Sequence, residues 1–148
     1  MMAHVRKQIR DAFETALTRD VSLVQRRVFG TRVFPLDGSK LPCVAVYSTS
    51  EGSGLQTMGA KTLRRDASIV VEAYIRVTGS FDDDADALAV QIEESIAADT
   101  TLGGVAKDAI LISTEIDFSG DAETPIGVAR LTYSVVYVTT IGDVETAR

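Results

Sequence analysis

Five features of this chain have residue types or spacing that invite chemistry. The stretch Gly54-Leu55-Gln56-Thr57-Met58-Gly59-Ala60-Lys61-Thr62 carries the residues of a phosphate-binding loop in nearly the right order. That loop needs lysine directly after its second glycine and a helix behind it, so that backbone amides converge on the phosphates. Here Ala60 intervenes and a strand pattern follows, so a loop without a nucleotide is expected. Asp82, Asp83, Asp84 and Asp86 suggest a metal or a paired-acid site. Consecutive carboxylates on a helical turn point apart, and no histidine or second acidic cluster lies at a ligand spacing, so they read as residues favouring a helix start. His4 is the only histidine, and any Ser-His-Asp or Cys-His site would have to use it. Its place at the start of a helix, among basic residues, predicts a surface position. Cys43, the only cysteine, lies in an apolar run and reads as a small core residue, inert without an electropositive setting. Lys61, Arg64 and Arg65 form the one basic cluster. They read equally as a solvated edge that discourages stray pairing and as contacts for an acidic partner. No catalytic, cofactor or metal site emerges from these residues.

The elements that would position them follow from periodicity. The organising stretch is residues 67–77, ASIVVEAYIRV, where Ala67, Ile69, Val71, Ala73, Ile75 and Val77 are all apolar. Ser68, Val70, Glu72, Tyr74 and Arg76 alternate with them and make the wetter face of a central strand about 35 Å long at ~3.3 Å per residue. Residues 3–17 predict an amphipathic helix with Val5, Ile9, Ala12, Phe13, Ala16 and Leu17 on its buried stripe. Val28, Phe29, Val33 and Phe34 suggest a short extended piece broken at Gly30, followed by a turn over 35–39. The apolar run 43–47 reads as a strand covered on both faces, with Pro42 tolerated only at its start.

Residues 48–65 are polar and glycine-punctuated, too long for a tight hairpin loop, and of a kind that is usually functional or mobile. Their latter half, 57–65, is a candidate protruding arm that continues the central strand. A second helix is expected over 82–98, capped by Ser80 or Asp82, with Ala85, Leu88, Ala89, Ile92 and Ile96 inward. Residues 109–118 alternate, placing Ile110, Ile112, Thr114, Ile116 and Phe118 on one face. After a polar turn at 119–124 comes the last long strand, 125–140, with Ala129, Leu131, Tyr133, Val135, Tyr137 and Thr139 inward. The two should form an antiparallel hairpin. The tail, 141–148, carries no pattern and is expected to be flexible, outside a single domain over 1–140. The order α-β-β-β-α-β-β predicts an α+β, two-layer domain with both helices on one face of a mainly antiparallel sheet.

Composition narrows the function classes. The chain has 148 residues, 45% hydrophobic and 24% charged, ordinary for one globular domain. Its net charge of −6 argues against a dedicated nucleic-acid binder, yet suits a wall past which DNA slides without sticking. One cysteine excludes an intramolecular disulfide and suits a reducing compartment. No apolar run approaches the ~18 residues of a membrane span, and the first residues lack the apolar segment of a signal peptide. A patterned sheet and a polar arm, without an active site, favour an assembly protein built from copies of one chain.

The ordered series VRKQIRDAFETAL, LPCVAVY, SIVVEAYIRV, DDDADALAVQIEESI and LTYSVVYVT resembles the tail terminator proteins of long-tailed bacteriophages, the lambda-type minor tail protein U family. It extends from about Val5 to Thr139. The resemblance implies a two-layer subunit, not an enzyme, that closes into a hexameric ring. Such a ring caps the tail tube protein, ends tube growth, and offers a surface to the head-tail connector or another neck protein. DNA passes through its channel without specific binding. Assembly in the host cytoplasm and a place in the virion, at the head-proximal end of the tail, are implied with it; no cofactor and no membrane are. On this reading the 48–65 segment touches the tube or a neighbouring subunit through Lys61, Arg64 and Arg65, with Glu72 and Arg76 as further interface candidates. Two alternatives stay open: another neck component, such as a head-closure or tail-completion adaptor, and a small-ligand-binding domain or weak hydrolase with a pocket between helices and sheet.

Overall fold

The computed structural model describes residues 3–30, 41–118 and 125–148. Val33, Phe34, the expected turn at 35–39 and the polar connection at 119–124 lie outside the described residues. Helix α1 (Val5–Asp20) buries Val5, Ile9, Phe13 and Leu17, a stripe at the i, i+4 spacing that puts side chains one above another. Strand β1 (Val28–Phe29) runs parallel to the start of β2 (Cys43–Thr57). Strand β3 (Thr62–Arg76) leads to helix α2 (Phe81–Ala97), then β4 (Asp108–Phe118), β5 (Ile126–Thr140) and β6 (Asp143–Ala147). The sheet has the order β1-β2-β3-β5-β4, with β6 also on β5. All pairs except β1–β2 are antiparallel, so the expected α+β layering with two helices and a mainly antiparallel sheet is what the chain adopts.

The main core lies between the helices and one sheet face. Ala67, Ile69, Val71, Ala73 and Ile75 of β3 meet Ala129, Leu131, Tyr133, Val135 and Tyr137 of β5, beneath Phe13, Leu17, Leu88, Ile92 and Ile96. Phe13 packs edge-on against Tyr133, ring centroids 5.5 Å apart, an arrangement the ring quadrupoles favour. Gly127 is required at its position because a Cβ there would collide with the Phe81 ring at the start of α2.

Four expectations need correction. The polar segment 48–65 is no loop. It continues β2 to Thr57, turns at residues 58–61, and begins β3 at Thr62. Propensity alone would not make SEGSGLQT a strand. Its partner β3 is paired along its whole length with β5, from Thr62↔Thr140 to Arg76↔Ile126, and offers a ready template on its other side.

The second correction concerns the face of β3 read as wetter: Val70, Glu72 and Tyr74 are buried there. Tyr74 packs with Cys43 and Ala45, with Phe29, Leu41, Ile126 and Val128 around them. Third, the isoleucines of β4 do not share a face. A bulge between Leu111 and Ser113 adds a residue, so Ile110 stands opposite Ser134 while Ile116 stands opposite inward-facing Ala129. Last, the tail read as without pattern forms a strand: Gly142 turns the chain at φ 87° and β6 returns along β5, where the Arg148 amide donates to the Val138 carbonyl at 2.7 Å.

Candidate functional site

Two carboxylates organise the polar part of the molecule. Glu51 sits in β2 where that strand leaves the apolar core, facing the helix side opposite Ala67. It accepts from Arg6 of α1 at 2.8 Å, from Arg65 of β3 at 3.2 Å, and from the Tyr137 hydroxyl of β5. Arg65 also donates to Thr139 Oγ1 at 3.0 Å and lies 5.9 Å from the centre of the Tyr137 ring. Burial, reinforced by the bond to Glu51, pushes the Tyr137 phenol up to about 12. One carboxylate thus joins α1, β2, β3 and β5.

Glu72 does the same on the opposite face. Its side chain is 8% exposed, and it accepts from Tyr74 at 3.2 Å and from Arg130 at 3.3 Å. Arg130 reaches on to Glu115 of β4 at 3.2 Å, and Tyr47 of β2 joins the group. Burial first, then the Glu72 charge, drives the Tyr74 hydroxyl above its ordinary range. This chain of bonds crosses four strands. Both carboxylates are paired with guanidinium groups, an arrangement that holds elements together.

The candidates from sequence divide accordingly. Lys61, Arg64 and Arg76 are exposed, Lys61 in the hairpin turn at φ 50°. Arg65 and Glu72 point into the two bonded clusters and are committed within the chain. Sequence reasoning missed Glu51, which lay in a segment read as loop; the alternation that would have marked it is broken by a bulge between Ser48 and Ser50.

The phosphate-loop look-alike lies on the hairpin, with β3 and not a helix after it. Asp82, Asp83 and Asp84 occupy the first turn of α2, beside the positive end of its dipole. Ser80 is at the N-cap position and donates to Asp84 at 3.3 Å without capping a backbone amide. His4 is half-buried and caps α1, its Nδ1 accepting from the Arg6 amide at 3.0 Å. Burial first, then Arg6, lowers its pKa. Cys43 is buried as expected, and burial raises its thiol pKa. A cleft of about 580 Å³ opens beside α2, lined by Leu23, Leu41, Ile75, Arg76, Asp84 and Leu88. Arg76, Thr78 and Asp84 are its polar groups, and the rest of its lining is apolar.

Exposed large apolar side chains include Val90 on α2 and Leu23 after α1, but most lie at strand edges and the hairpin end. Ile110, Ile112 and Ile116 of β4 are 55%, 58% and 48% exposed, and Met58 at the hairpin turn is 82% exposed. Leu55 and Ile141 are exposed near it. Among the described residues no helix is long and apolar enough to cross a membrane.

No family model and no curated protein matches the sequence. The fold is similar to that of a chain in a solved structure described as the virion of native gene transfer agent (GTA) particle, with a TM-score of 0.51. The alignment covers 86% of this chain and 93% of that one at 10% identity, a likeness of fold across almost the whole of both.

Proposed function

We propose that this chain is a structural protein of a phage or phage-like virion. In it, copies form a ring, hexameric by the resemblance given above, that caps the tail tube, ends its polymerisation and presents the surface to which the head joins. The observation that carries the reading is the fold shared with a virion chain over nearly the full length of both. Exposed isoleucines on a strand at the end of the sheet support it, because such a strand is a template for pairing with another chain. The protein acts by shape, without catalysis. His4 is used as a helix cap, Cys43 is buried, and the two inward carboxylates are held by arginines. An acidic subunit suits a channel wall that DNA passes without adhering.

Electron microscopy of particles made without this protein tests the reading. Overlong tails or polytubes are expected. Normal-length tails detached from full heads would instead make it a head-closure or tail-completion adaptor at the neck. Unaltered particles would remove it from the virion altogether. Charge reversal at Lys61 and Arg64 should give folded subunits that fail to finish tails, because both side chains are exposed at the hairpin. Arg65 is unsuitable for that test, since reversing it would break the Glu51 cluster.

A further inference from the structure

The sheet ends in two strands whose outer sides, among the described residues, have no partner over most of their length. Strand β1 covers β2 only at Val44 and Ala45, and among the described residues no strand pairs with the backbone of residues 46–57 on that side. At the other end, β4 (11 residues) pairs on one side only, with β5. An open edge is a row of unpaired donors and acceptors, and β4 combines it with Ile110, Ile112 and Ile116 in water. Natural sheets blunt such an edge with lysine, proline, other charges or a bulge; DAILISTEIDF holds neither lysine nor proline, and its bulge at Ile112 and its acids leave the isoleucines exposed.

We infer that β4 of one copy pairs with residues 46–57 of β2 in the next, so that the sheet runs on from subunit to subunit around the ring. The deduction rests on the ring reading proposed above and names its subunit contact. Strand direction supports it. β2, β3, β5 and β4 are successively antiparallel, so β4 runs opposite to β2. A following copy placed in the same orientation therefore meets β4 with an antiparallel β2, and its helices stay on the same side of the sheet. The free stretches also match in length.

Charge selects this pairing over the two-fold alternative of β4 with β4. The β4 strand carries Asp108, Glu115 and Asp117 and no basic residue; Arg130 meets Glu115 within the chain, yet self-pairing would still bring carboxylates from both copies to one seam. The β2 edge has one carboxylate, Glu51, already neutralised by Arg6 and Arg65, and Arg10 of α1 reaches over to Ser48 beside it. Only the head-to-tail arrangement uses both open edges, and a ring built that way has none left.

The test uses two full-length variants. One alters the β4 edge by Ile110→Glu, Ile112→Glu and Ile116→Glu; the other alters β2 by Ser53→Glu and Leu55→Glu. All five positions are exposed. Light scattering should find rings for the parent chain, monomers for each variant alone, and a heterodimer when the two are mixed, because each keeps one sound edge. Rings from either variant would overturn the strand assignment while leaving the ring reading intact. A dimer from the β2 variant alone would overturn it in favour of two-fold β4 pairing. A parent chain that stays monomeric, even with tail tubes present, would defeat the ring reading itself. Should either variant fail to fold, amide exchange on the parent decides. Protection of residues 46–57 and of β4 should rise at least tenfold on assembly, and unchanged exchange at both would overturn the pairing.

Discussion

Glu51 and Glu72 are both acids in β-strands, both bonded to an arginine and a tyrosine, yet they hold different things. Glu72 ties strands that already share ladders: β3, β5 and, through Arg130, β4. Glu51 meets Arg65 across the β2–β3 ladder but also ties elements that share no ladder with β2, since Arg6 comes from α1 across the layer and Tyr137 from β5, two strands away. A bond that duplicates a ladder adds modestly to it. One that joins separate layers fixes where a helix sits over a hairpin.

Removing Glu51 should therefore have the largest effect. Glu51→Ala leaves Arg65, 12% exposed, beside a buried phenol with no counter-charge. Breaking a largely buried ion pair on one side costs about 3 kcal/mol. For a domain of this size that lowers Tm by roughly 9 °C in a thermal melt. An unchanged Tm would show that the cluster is slack and that the hairpin is held by its ladder alone.

Glu72→Ala should cost less, about 1–2 kcal/mol, because Arg130 is 34% exposed and can turn to water. A double variant with Arg130→Ala checks the difference. For Glu72 the cycle should give a small coupling energy, and for Glu51 with Arg65 a larger one. Equal couplings would erase the distinction between the two sites.

Tyr137→Phe probes Glu51 more gently. It removes one hydroxyl bonded to a carboxylate, a loss of about 1.5 kcal/mol. The phenol is held protonated up to about 12 in the folded chain, against an ordinary value of 10.0. Its contribution is thus fully present below pH 10 and fades as pH rises through about 12, because the unfolded chain gives up its proton first. Denaturant melts from about pH 9 to about pH 11.5 should show this decline in the parent chain and a smaller one in the Phe variant.

How much of this is legible in the sequence depends on whether a residue's environment is set locally. Along β5 every odd residue from Ala129 to Thr139 is buried, as period-two alternation requires, and the α1 stripe is as plain. The hairpin is hidden because residues 50–57 have little strand propensity of their own and are strands through their pairing with β3. With the hairpin goes Glu51, whose partners Arg6 and Tyr137 are 45 and 86 residues away. In β4, even spacing from Ile110 to Ile116 imitates one face, and the bulge at Ile112 is not written in any residue type. Of the contact residues named from sequence, Lys61, Arg64 and Arg76 reach the surface, whereas Arg65 and Glu72 turn inward to carboxylate and guanidinium partners.

The smallest effect offers the sharpest separation of the two acids. His4 accepts the Arg6 amide at Nδ1, so protonation removes the cap of α1. Its folded pKa lies below 6.5, chiefly through burial and then through Arg6, with Arg65 and Arg10 also lowering it and Glu51 opposing them. A depressed value means that the cap's contribution, about 1 kcal/mol, is present above pH 6.5 and lost as pH falls through the folded value. His4→Asn keeps a capping acceptor and should abolish that slope. Because His4 is the only histidine, its ring resonances can be followed by NMR without ambiguity. Glu51→Ala removes the one charge that favours the imidazolium, so the His4 midpoint should fall further. Glu72→Ala, on the other side of the sheet, should leave it where it is. Equal shifts in both variants would mean that His4 feels net charge alone, and that Glu51 does not organise the helix end it sits beside.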